Sequence, residues 1–124
     1  MALPMIYVAS KLIHAEMWKN LRQAGINIVS TWIDSGRPEN DDAARRILKA
    51  CEEEIAKSAF LVLYCRKGEV LRDALVECGI ALALGKEIRQ VGECESVGLF
   101  AFHPMWKKCQ SLAQAVGLNI VKRG

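Results

Sequence analysis

Ala59-Phe60-Leu61-Val62-Leu63-Tyr64-Cys65 is an unbroken apolar run, entered through Lys57-Ser58 and left through Arg66-Lys67-Gly68. A strand with one wet face alternates apolar and polar residues, whereas a strand covered on both faces does not. The run therefore predicts a central strand of a parallel sheet. Parallel neighbours need crossover connections, and helical patterns stand on either side of it. Upstream, Asp41 and Asp42 open a helix with apolar positions Ala44, Ile47, Leu48, Cys51 and Ile55; the acids at its start and Lys57 at its end suit the helix dipole. Downstream, Leu71, Ala74, Leu75, Cys78, Ala81 and Leu82 form another helical stripe, which Gly85 ends.

The alternation continues outward. Ile6 to Ser10 reads as a first strand, and residues 13 to 24 as a helix with its stripe at Ile13, Met17, Trp18, Leu21 and Ala24 and its stop at Gly25. Ile26 to Ile33 is expected as a second strand, and Asp34 to Asn40, with Gly36 and Pro38, as a loop. Glu87 to Gly92 is a weaker strand, Trp106 to Val116 a last helix stopped by Gly117, and Leu118 to Val121 a final strand. The pattern βαβαβαβαβ implies one α/β domain over residues 1–124: a doubly wound, five-stranded parallel sheet with helices on both faces and the flavodoxin-like order 2-1-3-4-5. Such sheets bind ligands outside the carboxyl ends of the strands, at the switch point between the first and third. Ser10, Lys11 and the loop from Cys65 to Glu69 fall there.

Composition narrows the function classes. The 124 residues are 52% hydrophobic and 25% charged, enough for an ordinary core without metal or disulfide staples. Lys and Arg number 17 against 14 Asp and Glu, spread without a basic stripe, so no nucleic-acid partner is expected. The apolar opening Met1 to Ser10 lacks a positive leader and meets Lys11, His14 and Glu16 at once, so neither signal peptide nor membrane span is expected. Five cysteines without a CxxC pair suggest a reduced cytoplasmic protein with no structural metal. A receiver domain would need an Asp where Cys65 ends the third strand, and a flavin site would need a Ser/Thr-rich first turn. Neither is present.

Glu69, Asp73 and Glu77 recur every four residues, one acidic stripe if the segment is helical. Like charges at that spacing repel, so such a stripe is either a solvated face or a site. Ala74 and Ala81 flank Glu77 on its own face, and Gly79 weakens the helix beside it by roughly 1 kcal/mol relative to Ala.

The segment Glu77-Cys78-Gly79-Ile80-Ala81-Leu82-Ala83-Leu84-Gly85-Lys86 resembles the E-x-G-x-A-x-A-x-G-K helix of the nucleoside 2-deoxyribosyltransferase superfamily, which includes deoxynucleoside 5'-monophosphate N-glycosidases. Ile6-Tyr7-Val8-Ala9-Ser10 is similar to that family's first strand, and the order of elements matches from Met5 to about Val116. The resemblance implies that Glu77 attacks the anomeric carbon of a 2'-deoxyribonucleoside or its 5'-monophosphate and displaces the base, with Tyr7 orienting Glu77. Transfer to a second base or hydrolysis then completes the cycle; no cofactor is implied. Cys51 stands where the family's transferases carry an Asp on the second helix, and Asp73-Ala74 replaces the Gly-Thr ahead of the nucleophile.

Among the remaining polar candidates, Ser10 and Lys11 suit a phosphate at the first turn. Trp32 and Asp34 could stack on and hydrogen-bond a base, and His103, beside Pro104, could read a base from the start of the last helix. Glu69, Asp73 and Asp34 are candidates for the sugar-hydroxyl and proton-transfer roles. A small crevice and the apolar stretch Val97 to Phe102 point to a homo-oligomer, as the resemblance also implies. The other class consistent with these residues is a nucleotide-binding or protein-interaction module of the same fold that has lost catalysis.

Overall fold

Four short parallel strands carry the described part of the chain. The computed structural model describes residues 3–117, in which β1 (Ile6–Ala9), β2 (Phe60–Tyr64), β3 (Glu87–Val91) and β4 (Trp106–Cys109) form one parallel sheet in the order β1-β2-β3-β4. The helices are α1 (Ala15–Gln23), α2 (Trp32–Ser35), α3 (Asp41–Lys57), α4 (Asp73–Ala83) and α5 (Leu112–Ala115). None of these helices is long and apolar enough to cross a membrane.

The apolar run at Phe60–Tyr64 is central, as its composition requires: it pairs with β1 on one side and β3 on the other. Tyr7, Leu61, Ile88 and Trp106 stand in register across the four strands and face α3 and α4, together with Cys51, Ile55, Ala74, Cys78 and Ala81. The alternate residues Ile6, Val8, Phe60, Val62 and Val91 face the opposite way, against Trp18 of α1 and Ala115 of α5. Helices thus cover both faces, and the sheet side chains sort between two cores with the period of two that strand geometry imposes.

The long elements fall where the sequence places them. Asn40 caps α3 by accepting a 2.8 Å hydrogen bond from the Ala43 amide. The α4 stop at Gly85 adopts a φ of +76°, and Lys86 donates back to the Ala81 carbonyl at 2.9 Å. The first helix is shorter than expected: residues Leu12–His14 form a 3-10 turn that leaves Ile13 exposed and buries His14.

Two edge elements differ from expectation. Residues 26–33 do not form a strand; they make one parallel bridge, Ile6 to Ile28, and then turn into α2. The ladder stops because the next β1 donor is taken by a side chain: the Val8 amide donates to Ser30 Oγ at 2.8 Å, and Ser30 is fully buried. Residues 106–116 are not one helix but β4 followed by α5. Trp106 is buried and donates its indole N–H to Gln90 Oε1 at 2.9 Å, whereas Lys107 and Lys108 are exposed, as edge-strand lysines commonly are. His103 and Pro104 consequently lead into a strand. The strand expected at residues 118–121 lies outside the described residues.

Candidate active site

Glu77 lies in the second turn of α4, half-buried between the sheet and α3. Ala74 and Ala81, both buried, flank it on its own helix and leave room for the carboxyl to reach β1. There it accepts a hydrogen bond from the hydroxyl of Tyr7, seventy residues away in sequence. Cys51 of α3 is buried in the same core cluster as Tyr7 and its thiol bears on the titration of Glu77, so one strand and two helices each contribute a group.

The electrostatics follow from this packing. Burial pushes the Glu77 carboxyl up to about 7; the Tyr7 and Cys51 hydrogen bonds pull the other way, and Asp73 and Glu54 add repulsion. Burial beside the Glu77 charge likewise raises the Tyr7 hydroxyl, and burial pushes the Cys51 thiol up to about 11. At neutral pH Tyr7 and Cys51 are therefore protonated and able to donate, while Glu77 is poised between acid and carboxylate.

Glu54, one turn after Cys51 on α3, is 7% exposed and holds the segment leading into α2. It accepts hydrogen bonds from the Thr31 amide at 3.1 Å and the Thr31 hydroxyl at 2.6 Å. The indole of Trp32 next to it donates to the Val8 carbonyl at 2.8 Å, which fixes a half-buried ring against both cores.

A second polar cluster sits past the ends of β1 and β2. Ser10 Oγ accepts from the Trp18 indole at 2.8 Å and donates to the Lys11 carbonyl at 2.9 Å. Buried His14 bonds through Nε2 to Glu69 Oε2 at 2.7 Å, and Tyr64 meets its ring edge-on with centroids 4.9 Å apart. Burial acts to raise the Glu69 carboxyl, but the Arg66 amide, 2.8 Å from Oε1, the His14 ring and the Lys11 charge outweigh it and hold it below the ordinary range. Glu69 thus lies in the loop ahead of α4, not on the helix; only Asp73 and Glu77 share the expected stripe.

The remaining candidates stand apart. Asp34 is exposed on α2 and forms a two-pronged pair with Arg22 at 2.8 Å for each contact, which lowers its carboxyl. His103 follows the 3-10 turn Leu99–Phe102 and accepts the Met105 amide at Nδ1, 3.0 Å away. No group of three or more metal-ligating side chains lies together among the described residues.

Two open grooves of about 420 Å³ each mark the surface. One runs between α2 and the start of α3, past Thr31, Ser35, Arg37, Asn40 and Arg46. The other lies beyond β3, along Gln90, Gly92, Cys94, Val97 and Lys108. Neither is lined by Glu77 or Tyr7. In comparisons with known proteins, no family model matches the chain and no curated protein matches it.

His14 and Glu54 are the site neighbours that the sequence did not disclose. His14 sits inside an apolar helical segment and Glu54 ends the run Glu52-Glu53-Glu54, so neither differs locally from a solvated residue. Their partners, Glu69 and Thr31, are distant in sequence.

Proposed function

We propose that this chain cleaves or exchanges the N-glycosidic bond of a 2'-deoxyribonucleoside or its 5'-monophosphate, with Glu77 as the covalent nucleophile, and that it is a divergent relative of the nucleoside 2-deoxyribosyltransferases it resembles. The observation that carries this reading is the Glu77 carboxyl gripped by the Tyr7 hydroxyl and raised to about 7 by burial. A carboxylate held by neutral donors keeps its charge without forming a tight ion pair, which suits attack on a carbon that develops oxocarbenium character.

In the first step one Glu77 oxygen bonds to the anomeric carbon as the carbon–nitrogen bond breaks, its electron pair leaving with the base. The base takes up a proton, for which Asp73, one helical turn before Glu77, is the candidate donor. In the second step a new base or a water attacks the same carbon from the face opposite Glu77, giving up its proton to the Asp73 carboxylate as the ester bond to Glu77 breaks and its electron pair returns to the Glu77 oxygen. Tyr7 and Cys51 orient the carboxylate throughout. Ser10 and Lys11 are assigned to the sugar 5' end, with Glu69 and His14 behind them, and Trp32 to the base. Asp34 and His103 reach a ligand only if the Arg22 pair and the 98–103 segment move.

The Ile28 bridge is read here as the remnant of the first edge strand of a 2-1-3-4-5 sheet, with β4 at the other edge. Five unpaired cysteines favour a reducing, cytoplasmic setting. A homo-oligomer is proposed because neither surface groove includes Glu77, so a second copy would have to help enclose the ligand.

The test is a panel of deoxynucleosides and their monophosphates assayed for free base. Release without an acceptor identifies a hydrolase, and exchange only with added base a transferase. Deoxyadenosine or its monophosphate is expected to react faster than the ribose counterpart, because a 2'-hydroxyl withdraws charge from the oxocarbenium-like state. Glu77→Gln should lower the rate by roughly three orders of magnitude or more, the usual scale for loss of a covalent nucleophile. A variant retaining more than about a tenth of the rate would overturn the assignment. Binding without turnover by the wild type would instead identify a catalytically silent nucleotide-binding module.

A further inference from the structure

The groove between α2 and the start of α3 is separate from Glu77, and two unlike surfaces line it. Ala43, Ile47 and Ala50 recur at helical spacing along α3 and, with Pro38, give it an apolar wall. Arg37, from the loop after α2, and Arg46, from the same side of α3 as that wall, bring two guanidiniums to it. Ala43 and Ala50 stand one turn before and one turn after Arg46, and their small side chains leave space beside its stem.

The fold leaves these two charges uncompensated. Arg22, Arg45 and Arg89 each pair with a carboxylate, whereas Arg37 and Arg46 form no salt bridge among the described residues. The nearby acids are spent elsewhere: Asp42 pairs with Arg45 at 2.9 Å and Asp34 with Arg22 at 2.8 Å. Glu39 is the one carboxylate on the lining, against two guanidiniums, so the groove keeps a net positive charge. Its hydroxyls are already committed as donors, Thr31 to Glu54 at 2.6 Å and Ser35 to the Thr31 carbonyl at 3.1 Å. Asn40 accepts the Ala43 amide with Oδ1, which leaves its side-chain NH2 as a further donor. An occupant therefore meets chiefly N–H donors, two of them on cations, beside an apolar wall.

We propose that this groove binds a small phosphomonoester with a flat apolar body, the phosphate held by Arg37 and Arg46 and the body laid on Pro38 and the α3 wall. A guanidinium fork meets phosphate oxygens two at a time and stays charged at any physiological pH. Two such groups match a dianion better than the single charge of a carboxylate, and a lining with two cations to one anion disfavours a cationic ligand. The volume of about 420 Å³ falls within the roughly 300–1,000 Å³ of small-molecule sites. Binding here needs no turnover at Glu77, so it stands or falls apart from the reaction proposed above.

The probe is phenyl phosphate, which carries both features and has no glycosidic bond for Glu77 to act on. It is titrated into the isotope-labelled full chain at about pH 7.5, where the phosphate is largely a dianion, and followed by amide chemical shifts. The expected result is saturable shifts over residues 31–50 with a Kd of about 1 mM or tighter, weaker binding of benzoate and none of phenol. Arg37→Gln and Arg46→Gln, both at exposed positions, should each weaken binding about tenfold. Arg45→Gln, whose guanidinium pairs with Asp42 and lies outside the lining, should bind like the wild type. The proposal is overturned by the absence of saturable shifts at tens of millimolar, by shifts centred instead on Ser10, Lys11 and Arg66, or by equal weakening in Arg45→Gln. Phenol or benzoate binding as tightly as phenyl phosphate would overturn it too, since the groove would then not select a phosphate.

Discussion

Glu77 carries a sign that experiment can read. Its folded-state value of about 7 lies above the ordinary 4.5 of a glutamate in an unfolded chain, so the native state binds the proton more tightly than the unfolded chain does. That contribution to stability is fully present below pH 4.5 and is lost as the pH rises through 7. Glu77→Gln removes the dependence, so its unfolding free energy should gain on the wild type by on the order of 1–2 kcal/mol between pH 5 and pH 8, after discounting for the water that reaches a half-buried carboxyl. Parallel stability curves for the two proteins would show that Glu77 does not titrate near neutrality. Under the proposed chemistry the rate should climb with pH to a plateau above 7, because the attacking form is the carboxylate. Tyr7→Phe removes a donor that favours that form, so the rising limb should move to higher pH as the maximal rate falls. An unmoved limb would mean that the Tyr7 hydroxyl does not serve Glu77. The pairing of the two residues was expected only through the resemblance of the Glu77 helix and the Tyr7 strand to a known family, and the structure brings their side chains into contact. The neighbours that set their environment were not legible in the sequence: Cys51 stood out only as a departure from a resembled pattern, and Glu54 and His14 depend on partners that only folding brings close.

Among elements, legibility followed burial. The Phe60–Tyr64 strand and the α3 and α4 helices were readable because each buries a continuous apolar face, which leaves its period in the sequence. The sheet edges were not, because edge elements are specified by single polar contacts. Ser30 illustrates this: its hydroxyl replaces a backbone carbonyl as partner of the Val8 amide, ending the ladder where Ile26 to Ile33 would otherwise continue as a strand. Ser30→Ala should therefore cost about 1–3 kcal/mol, the scale for a buried amide left without an acceptor, measurable by urea unfolding. A loss under about 0.5 kcal/mol would imply that the amide finds another partner. Gly92 is a stricter case, since it combines a φ of +90° with a Cβ position 2.0 Å from the Cys65 carbonyl oxygen. Gly92→Ala must either move β3 away from the end of β2 or accept a backbone collision, and we expect roughly 3 kcal/mol or more of destabilisation. A near-neutral Gly92→Ala would show that the two strand ends are looser than this contact requires.

For the whole molecule, the decisive feature is apolar surface without a partner among the described residues. A helix apolar on most sides belongs in an interior, yet the outer side of α4 leaves Val76 64% exposed, and a Cβ at Gly79 would meet nothing within 4 Å. The 3-10 turn after β3 leaves Leu99 82% and Phe102 85% exposed, although Val97 just before it packs on the core. Folding the 97–102 segment back onto its own sheet therefore accounts for Val97 and not for the residues that follow. Large exposed side chains of this kind are scattered on any surface, but two apolar sets on one small domain exceed what single residues explain. Association is expected to bury at least one of them. Light scattering at tens of micromolar should then give a mass of twice 13.8 kDa or more. Phe102→Asp and Val76→Asp, made separately, identify the surface: the substitution on the interface should return the chain to 13.8 kDa with its fold intact by circular dichroism, and the other should leave the mass unchanged. If the larger species also completes the ligand site, dissociation should abolish base release while leaving the stability difference between wild type and Glu77→Gln in place, because that difference is internal to one chain. A monodisperse 13.8 kDa wild type with full activity would instead show that each copy encloses its own ligand and that the two apolar surfaces serve another partner.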